Sequence, residues 1–301
     1  MSFSSNTGTY SIYSVSASNV ESFLGSTENL VVDNGLDLIN TAGSGEILHT
    51  CVVSSDTSQI APTTNQIPGV VASTSSKIAS TYGSSDVAPF YYWYRVTFEF
   101  AAGAANGNLT KVGITNSSGS LFSVAMFKDP EGNPTTIQPM TNERLRVVYD
   151  YKVYINSTDV VLEDVKIFKN SDNLYKITIR PASINSATMA RDLNKGLFIT
   201  DYYSGNYSLS AYRGKIGKIT STPSDYLFQK NNALNAQAYT NGDDIKFFSI
   251  SLGHNEFNHT SGISSLLFST SRGAYQIQFE PSLIKNDTQI MNIKLPITSG
   301  R

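Results

Sequence analysis

His254-Asn255-Glu256-Phe257-Asn258-His259 places two imidazoles and a carboxylate within one short run, a set that could close round a metal ion. The spacing is neither the i, i+4 pair of a zinc-binding helix nor an EF-hand loop, so surface histidines and no bound metal are expected. His49 and Cys51 lie two apart on a predicted strand and share a face, as a base beside a thiol nucleophile would. No third group that would orient the pair is evident, and Cys51 reads as a small buried hydrophobe. Glu163-Asp164 and Asp243-Asp244 are adjacent acids, whereas glycoside hydrolysis needs two carboxylates facing one sugar. Strand neighbours point to opposite faces, and Asn241-Gly242-Asp243-Asp244 reads as a turn. Two acids distant in sequence could still meet in the fold. Phosphate-cradling glycine loops and basic patches are absent from the sequence, so neither a catalytic residue nor a cofactor is expected.

Aromatic side chains are the other candidates, and they suit recognition. Asp201-Tyr202-Tyr203-Ser204-Gly205-Asn206-Tyr207 gathers three tyrosines in one predicted loop, where stacking area and a hydroxyl combine at low entropic cost. Packing or an interface is the first expectation for Tyr202, Tyr203 and Tyr207, and a host-surface glycan the second. Tyr91 and Trp93 fall on the otherwise polar side of a predicted strand, so a sister subunit or second sheet is expected against its start.

The elements that must position these groups are strands. Between Phe90 and Phe100 the even residues Phe90, Tyr92, Tyr94, Val96, Phe98 and Phe100 alternate with Arg95, Thr97 and Glu99. From Glu143 to Ile155, Leu145, Val147, Tyr149, Tyr151, Val153 and Ile155 face one way, with Arg146, Asp150 and Lys152 opposite. Leu109 to Thr115 and Leu121 to Phe127 form a hairpin across Asn116-Ser117-Ser118-Gly119, and the block from Asn108 to Ile155 reads as a β-meander. Further strands are expected at Tyr175 to Ile179, Ile245 to Leu252, Ala274 to Glu280 and Met291 to Leu295. The apolar runs Asn29 to Val32, Leu36 to Ile39 and Ile47 to Val53 suggest strands too. Asn19 to Leu24, Ser183 to Asn194 and Tyr226 to Tyr239 permit short helices.

The expected fold is all-β: one or two antiparallel β-sandwich domains with an extended N-terminal arm and few short helices. Residues 1–86, rich in Ser, Thr and Asn, read as an arm or small β-subdomain ordered by neighbouring chains. Residues 87–182 read as a central sandwich or meander and residues 183–301 as a C-terminal β-rich domain.

Charged residues make up 15 % of the chain, below the usual share of about 25 %, and the net charge of −2 argues against nucleic acid as a partner. Before Arg95 one lysine faces seven acids, 1 − 7 = −6, and the remainder carries 21 − 17 = +4. Such asymmetry could steer subunits into register, or simply mark two solvated surfaces. The single cysteine excludes an intrachain disulfide, and no apolar run approaches the roughly 20 residues that span a bilayer. No signal peptide is evident at MSFSSNTGTY, so synthesis in a reducing cytosol without membrane insertion is expected.

The stretch from Leu109 to Tyr154, in the order LTKVGIT, SLFSVAMFKDPEGNPTTIQPM, LRVVYDYKVY, resembles a segment found in virion proteins of tailed bacteriophages. The ending is similar as well: Tyr275-Gln276-Ile277-Gln278-Phe279-Glu280-Pro281 precedes a last strand that closes on Gly300-Arg301. Ser299 stands where those proteins usually carry Trp. The resemblance implies a structural virion component of the tail, collar, baseplate or fibre-attachment type, assembling with copies of itself and with neighbouring tail, collar or fibre proteins. Made in the host cytoplasm, it would reside in the virion and carry no catalytic residues. Alternatives are a capsid decoration or head-fibre protein and, in a different class, a carbohydrate-binding receptor-recognition protein.

Overall fold

A computed structural model of the chain describes residues 2–40, 46–129, 131–168, 171–185, 190–191, 193–195, 208–231, 234–236, 240–242, 245–270 and 273–299. Among the described residues three sheets carry the fold, which is all-β and sandwich-like as expected. The largest has eight strands: β6 (Lys77–Ser84), β7 (Tyr91–Glu99), β10 (Arg144–Ile155), β1 (Ser2–Val15), β19 (Met291–Ser299), β16 (Ile245–Leu252) and β15 (Leu234–Ala236) in spatial order, with β2 (Glu21–Glu28) also paired to β1. A five-stranded sheet runs β3 (Leu30–Val31), β9 (Leu121–Met126), β8 (Lys111–Thr115), β4 (Thr50–Ser54) and β5 (Val70–Thr74). A six-stranded sheet runs β11 (Val160–Lys166), β12 (Leu174–Ala182), β18 (Gly273–Leu283), β17 (Ile263–Thr270), β13 (Ser208–Tyr212) and β14 (Tyr226–Asn231).

Period-two sequence becomes period-two burial where the pattern is cleanest. β10 alternates half-buried and buried residues along its whole length, and on β7 Tyr92, Tyr94, Val96 and Phe98 are buried. Antiparallel pairing sets Tyr149 beside Tyr10 of β1, with their rings stacked 4.6 Å apart. Phe122 of β9 meets Tyr151 edge-on at 5.3 Å, so the five-stranded sheet covers the inner face of β1, β7 and β10. Each such side chain contributes about 1.5–3 kcal/mol on burial, and the tyrosine hydroxyls must still be satisfied. Tyr10 Oη and Ser123 Oγ lie 2.6 Å apart, and Asn29 Nδ2 donates to Tyr149 Oη at 2.7 Å, closing a polar thread between the sheets.

The block from Asn108 to Ile155 is not one meander. β8 and β9 pair as a hairpin, with Gly119 at φ 83° in its turn, but the chain then crosses to the other sheet and β10 pairs with β1 and β7. The N-terminal segment is no detached arm either. β1 is inserted between β10 and β19, and its Tyr10, Ile12 and Val15 are buried in the shared core. Partner strands within the same chain therefore order it, through a register long enough to offset its modest apolar content.

Three local expectations are corrected. Leu36 to Ile39 lies in helix α1 (Asp33–Asn40): Leu36 and Ile39 recur at helical spacing and bury in the shared core, Leu36 N bonds to Val32 O at 3.0 Å, and Asp33 sits favourably at the N-terminal turn. Asn19 to Leu24 leads into β2, which pairs antiparallel with β1 after a turn in which Asn19 adopts φ 62°. Tyr226 to Tyr239 holds β14 and β15, which join different sheets. At the end of Ser183 to Asn194, a 3-10 turn spans Leu193–Lys195. No helix among the described residues is long and apolar enough to cross a membrane.

The charge asymmetry is used inside the chain. Asp56 pairs with the buried Lys111 of β8, and Glu21 pairs with Arg146 of β10. The hydrogen bond from Lys111 holds Asp56 below the usual carboxylate range, and Arg180 and Lys230 do the same for Asp159 and Glu256. These groups bind protons more tightly in the unfolded chain. Their stabilisation is present above about pH 4.5 and is lost as pH falls through the lower folded values. Thermal melts should therefore be flat from pH 7 to pH 5 and drop steadily below about pH 4; a melting temperature unchanged at pH 3 would refute the linkage.

Candidate functional site

The outer face of β1, β10 and β7 holds a groove of about 680 Å³. It follows from register. Trp93 is opposite Lys152, which is opposite Thr7, and Arg95 is opposite Asp150, which is opposite Thr9. Tyr91 is opposite Tyr154, completing a third rung. Glu28 of β2, across from Thr9, and Asn29 close the groove at β1.

Its geometry is that of a half-buried aromatic floor with paired charges. The Tyr91 and Tyr154 rings are 5.3 Å apart, and Lys152 Nζ lies 5.2 Å from the Tyr91 ring centre. Trp93 lies across Gly83 of β6: a Cβ at position 83 would stand 2.7 Å from indole Cζ2, so only glycine leaves the ring this close to the sheet. Arg95 donates to both oxygens of Asp150, at 2.6 and 3.0 Å, and this bidentate contact raises the Arg95 pKa above its ordinary value.

The structure brings Tyr91 and Trp93 together as the sequence placed them, on the face opposite Tyr92 and Tyr94. Tyr202, Tyr203 and Tyr207 lie outside the described residues, as do Asp243 and Asp244. Sequence reasoning missed Tyr154, Lys152 and Glu28 as groove residues. The alternation of β10 already set Asp150 and Lys152 apart from the buried set, and continuing that period by two reaches Tyr154. What could not be read locally is that β7 and β10 pair with their outward residues in step.

Glu28 and Asp150 are distant acids that do share one recess. Both Asp150 oxygens accept hydrogen bonds from Arg95, which holds this carboxylate in a bidentate pair. The groove presents aromatic faces for stacking beside paired donors and acceptors.

The other candidates resolve differently. Cys51 is fully buried and burial pushes its thiol far up, away from thiolate character, while His49 Nδ1 contacts Thr50 Oγ1 at 2.9 Å. Glu163 pairs with Lys176 at 2.9 Å on the exposed hairpin of β11 and β12. In the histidine loop, His254 is exposed and His259 Nδ1 contacts Ser261 Oγ at 3.0 Å. The loop's oxygens turn instead to Lys285, whose Nζ donates to Gly253 O at 2.6 Å and Asn258 Oδ1 at 2.9 Å. No cluster of three or more potential metal-ligating His, Cys, Asp or Glu side chains occurs among the described residues. Compared with protein-family models, curated proteins and solved structures, the chain matches none of them.

Proposed function

We propose that this chain is a structural component of a tailed-phage virion, in the tail, collar or baseplate region, assembling as a symmetric homo-oligomer that anchors neighbouring tail or fibre proteins. The observation that carries the reading is the block Leu109 to Tyr154. The residues that resemble phage virion proteins are the mated halves of one sandwich, β8 and β9 on one sheet and β10 on the other. What is shared is thus a framework. Edge strand β11 supports assembly: Val160, Val161 and Leu162 are 41, 46 and 45 % exposed in succession, and among the described residues no strand lies beyond it. An exposed apolar edge is where another copy adds.

Mass spectrometry of purified particles tests the placement, and finding no such chain in them would overturn it. Light scattering of the purified protein should report a multiple of the 32.7 kDa chain. A Val161→Lys exchange on the edge is expected to shift that mass toward the monomer while leaving the circular dichroism spectrum unchanged. Labelled density on the head instead of the tail would reassign the chain to capsid decoration or head fibres.

A further inference from the structure

We propose that the groove on the outer face of β1, β10 and β7 binds a neutral oligosaccharide. Four charges line it, Arg95 and Lys152 against Asp150 and Glu28, and 2 − 2 = 0, so the site offers no net attraction for an anionic or cationic ligand. What it offers is three aromatic rings for the apolar C–H face of a pyranose, with fixed donors and acceptors beside them for its hydroxyls. The Arg95–Asp150 fork is already ordered, so its donor and acceptor edges meet a ligand without further loss of side-chain freedom.

Dimensions decide against a folded partner. Three rungs along the strands and two inter-strand spacings make a floor of roughly 14 by 10 Å. A stable protein interface needs about 800 Å² per partner, several times that floor. The groove volume of about 680 Å³ instead falls within the small-ligand range of roughly 300–1,000 Å³. The inference stands apart from the virion reading: particles lacking the chain would overturn that reading and leave the groove's chemistry untouched.

Trp93 is the only tryptophan in the chain, so its emission reports occupancy of this groove alone. The full chain is screened on an array of neutral and acidic oligosaccharides, and hits are titrated by Trp93 fluorescence. The expected result is a saturable change with at least one neutral oligosaccharide, no stronger with its sulfated or sialylated counterpart. Tyr154→Ala should weaken it roughly three- to tenfold through loss of one aromatic contact. Tyr226→Ala, an exposed tyrosine on β14, should leave it unchanged. Should Tyr154→Ala fail to fold, Thr7→Phe at an exposed position fills the groove from the other side without adding a second tryptophan and should abolish the response. No array response, preference for acidic glycans, or binding undiminished in both groove variants would overturn the proposal. So would an emission change that follows protein concentration alone, which would give the face to a second copy, or release of reducing ends, which would make it a hydrolase.

Discussion

Gly35→Ala is expected to destabilise the fold by about 2–3 kcal/mol, although alanine is the better helix former. Gly35 lies in α1 against β9, and a Cβ there would stand 2.0 Å from the carbonyl oxygen of Phe122 and 2.9 Å from its carbon. The obstacle is backbone, in a strand whose Phe122 side chain is buried against Tyr151 and whose carbonyl also accepts from Val32 N at 3.2 Å. No rotamer change relieves it, so helix and sheet must part. The helix-propensity gain of roughly 0.5–1 kcal/mol is smaller than this overpacking cost. Melting should fall by roughly 4–12 °C, and Gly35→Val should fall further. Gly25→Ala on β2 is the matched control, because its nearest neighbour would be Ile137 Cδ1 at 3.9 Å. A Gly35→Ala melt equal to that control would refute the close approach.

Such a contact joins residues far apart in sequence, and this is where legibility stopped. Strands β7, β10 and β18 were readable because one face of each meets a core and the alternation is printed in the residue order. Even there, the polar face of β18 was not the solvent face: Gln276 is fully buried, its Oε1 accepting from Gly217 N at 2.7 Å and its Nε2 donating to Gly217 O at 3.0 Å. Glutamine alternation looks the same whether water or a covering loop satisfies the amide. The hairpin at Asn116 to Gly119 was readable because turn chemistry is local. α1 was missed because Leu36-Asp37-Leu38-Ile39 is a short apolar run whose Leu36 and Leu38 alternate as on a strand, and four residues are too few to show the helical period.

The site was legible by halves for the same reason. Tyr91 and Trp93 stood out as aromatic residues on a polar face, which one strand can show. Their company could not be seen, because it depends on the register between β7 and β10, on β1 returning from the N-terminus, and on Gly83 yielding its place to the indole. The loop of His254 to His259 was legible in part. Its histidines were expected at the surface with no bound metal, and nothing local showed that its oxygens would enclose a lysine from a distant strand end.

Lys285→Met tests that internal cation. Lys285 is 1 % exposed, and its Nζ donates to Gly253 O at 2.6 Å, Asn258 Oδ1 at 2.9 Å and His254 O at 3.3 Å. Burial lowers its pKa from the ordinary lysine value, so ordering the loop works against a desolvation cost. Methionine keeps the stem and removes that cost, but it leaves these oxygens without their donor, at roughly 1–3 kcal/mol for each one that water does not reach. The second effect is the larger, because at least two oxygens lose their partner while only one charge is spared burial. A net loss of about 2–3 kcal/mol is expected, confined to the loop. Amide hydrogen exchange from Gly253 to Gly262 should quicken roughly 30- to 150-fold, while β10 keeps its protection. Lys285→Arg, which retains donors on a longer fork, should fall between the two. Exchange unchanged in Lys285→Met would mean that the loop is held by its other contacts, the Glu256–Lys230 pair at 2.6 Å foremost among them.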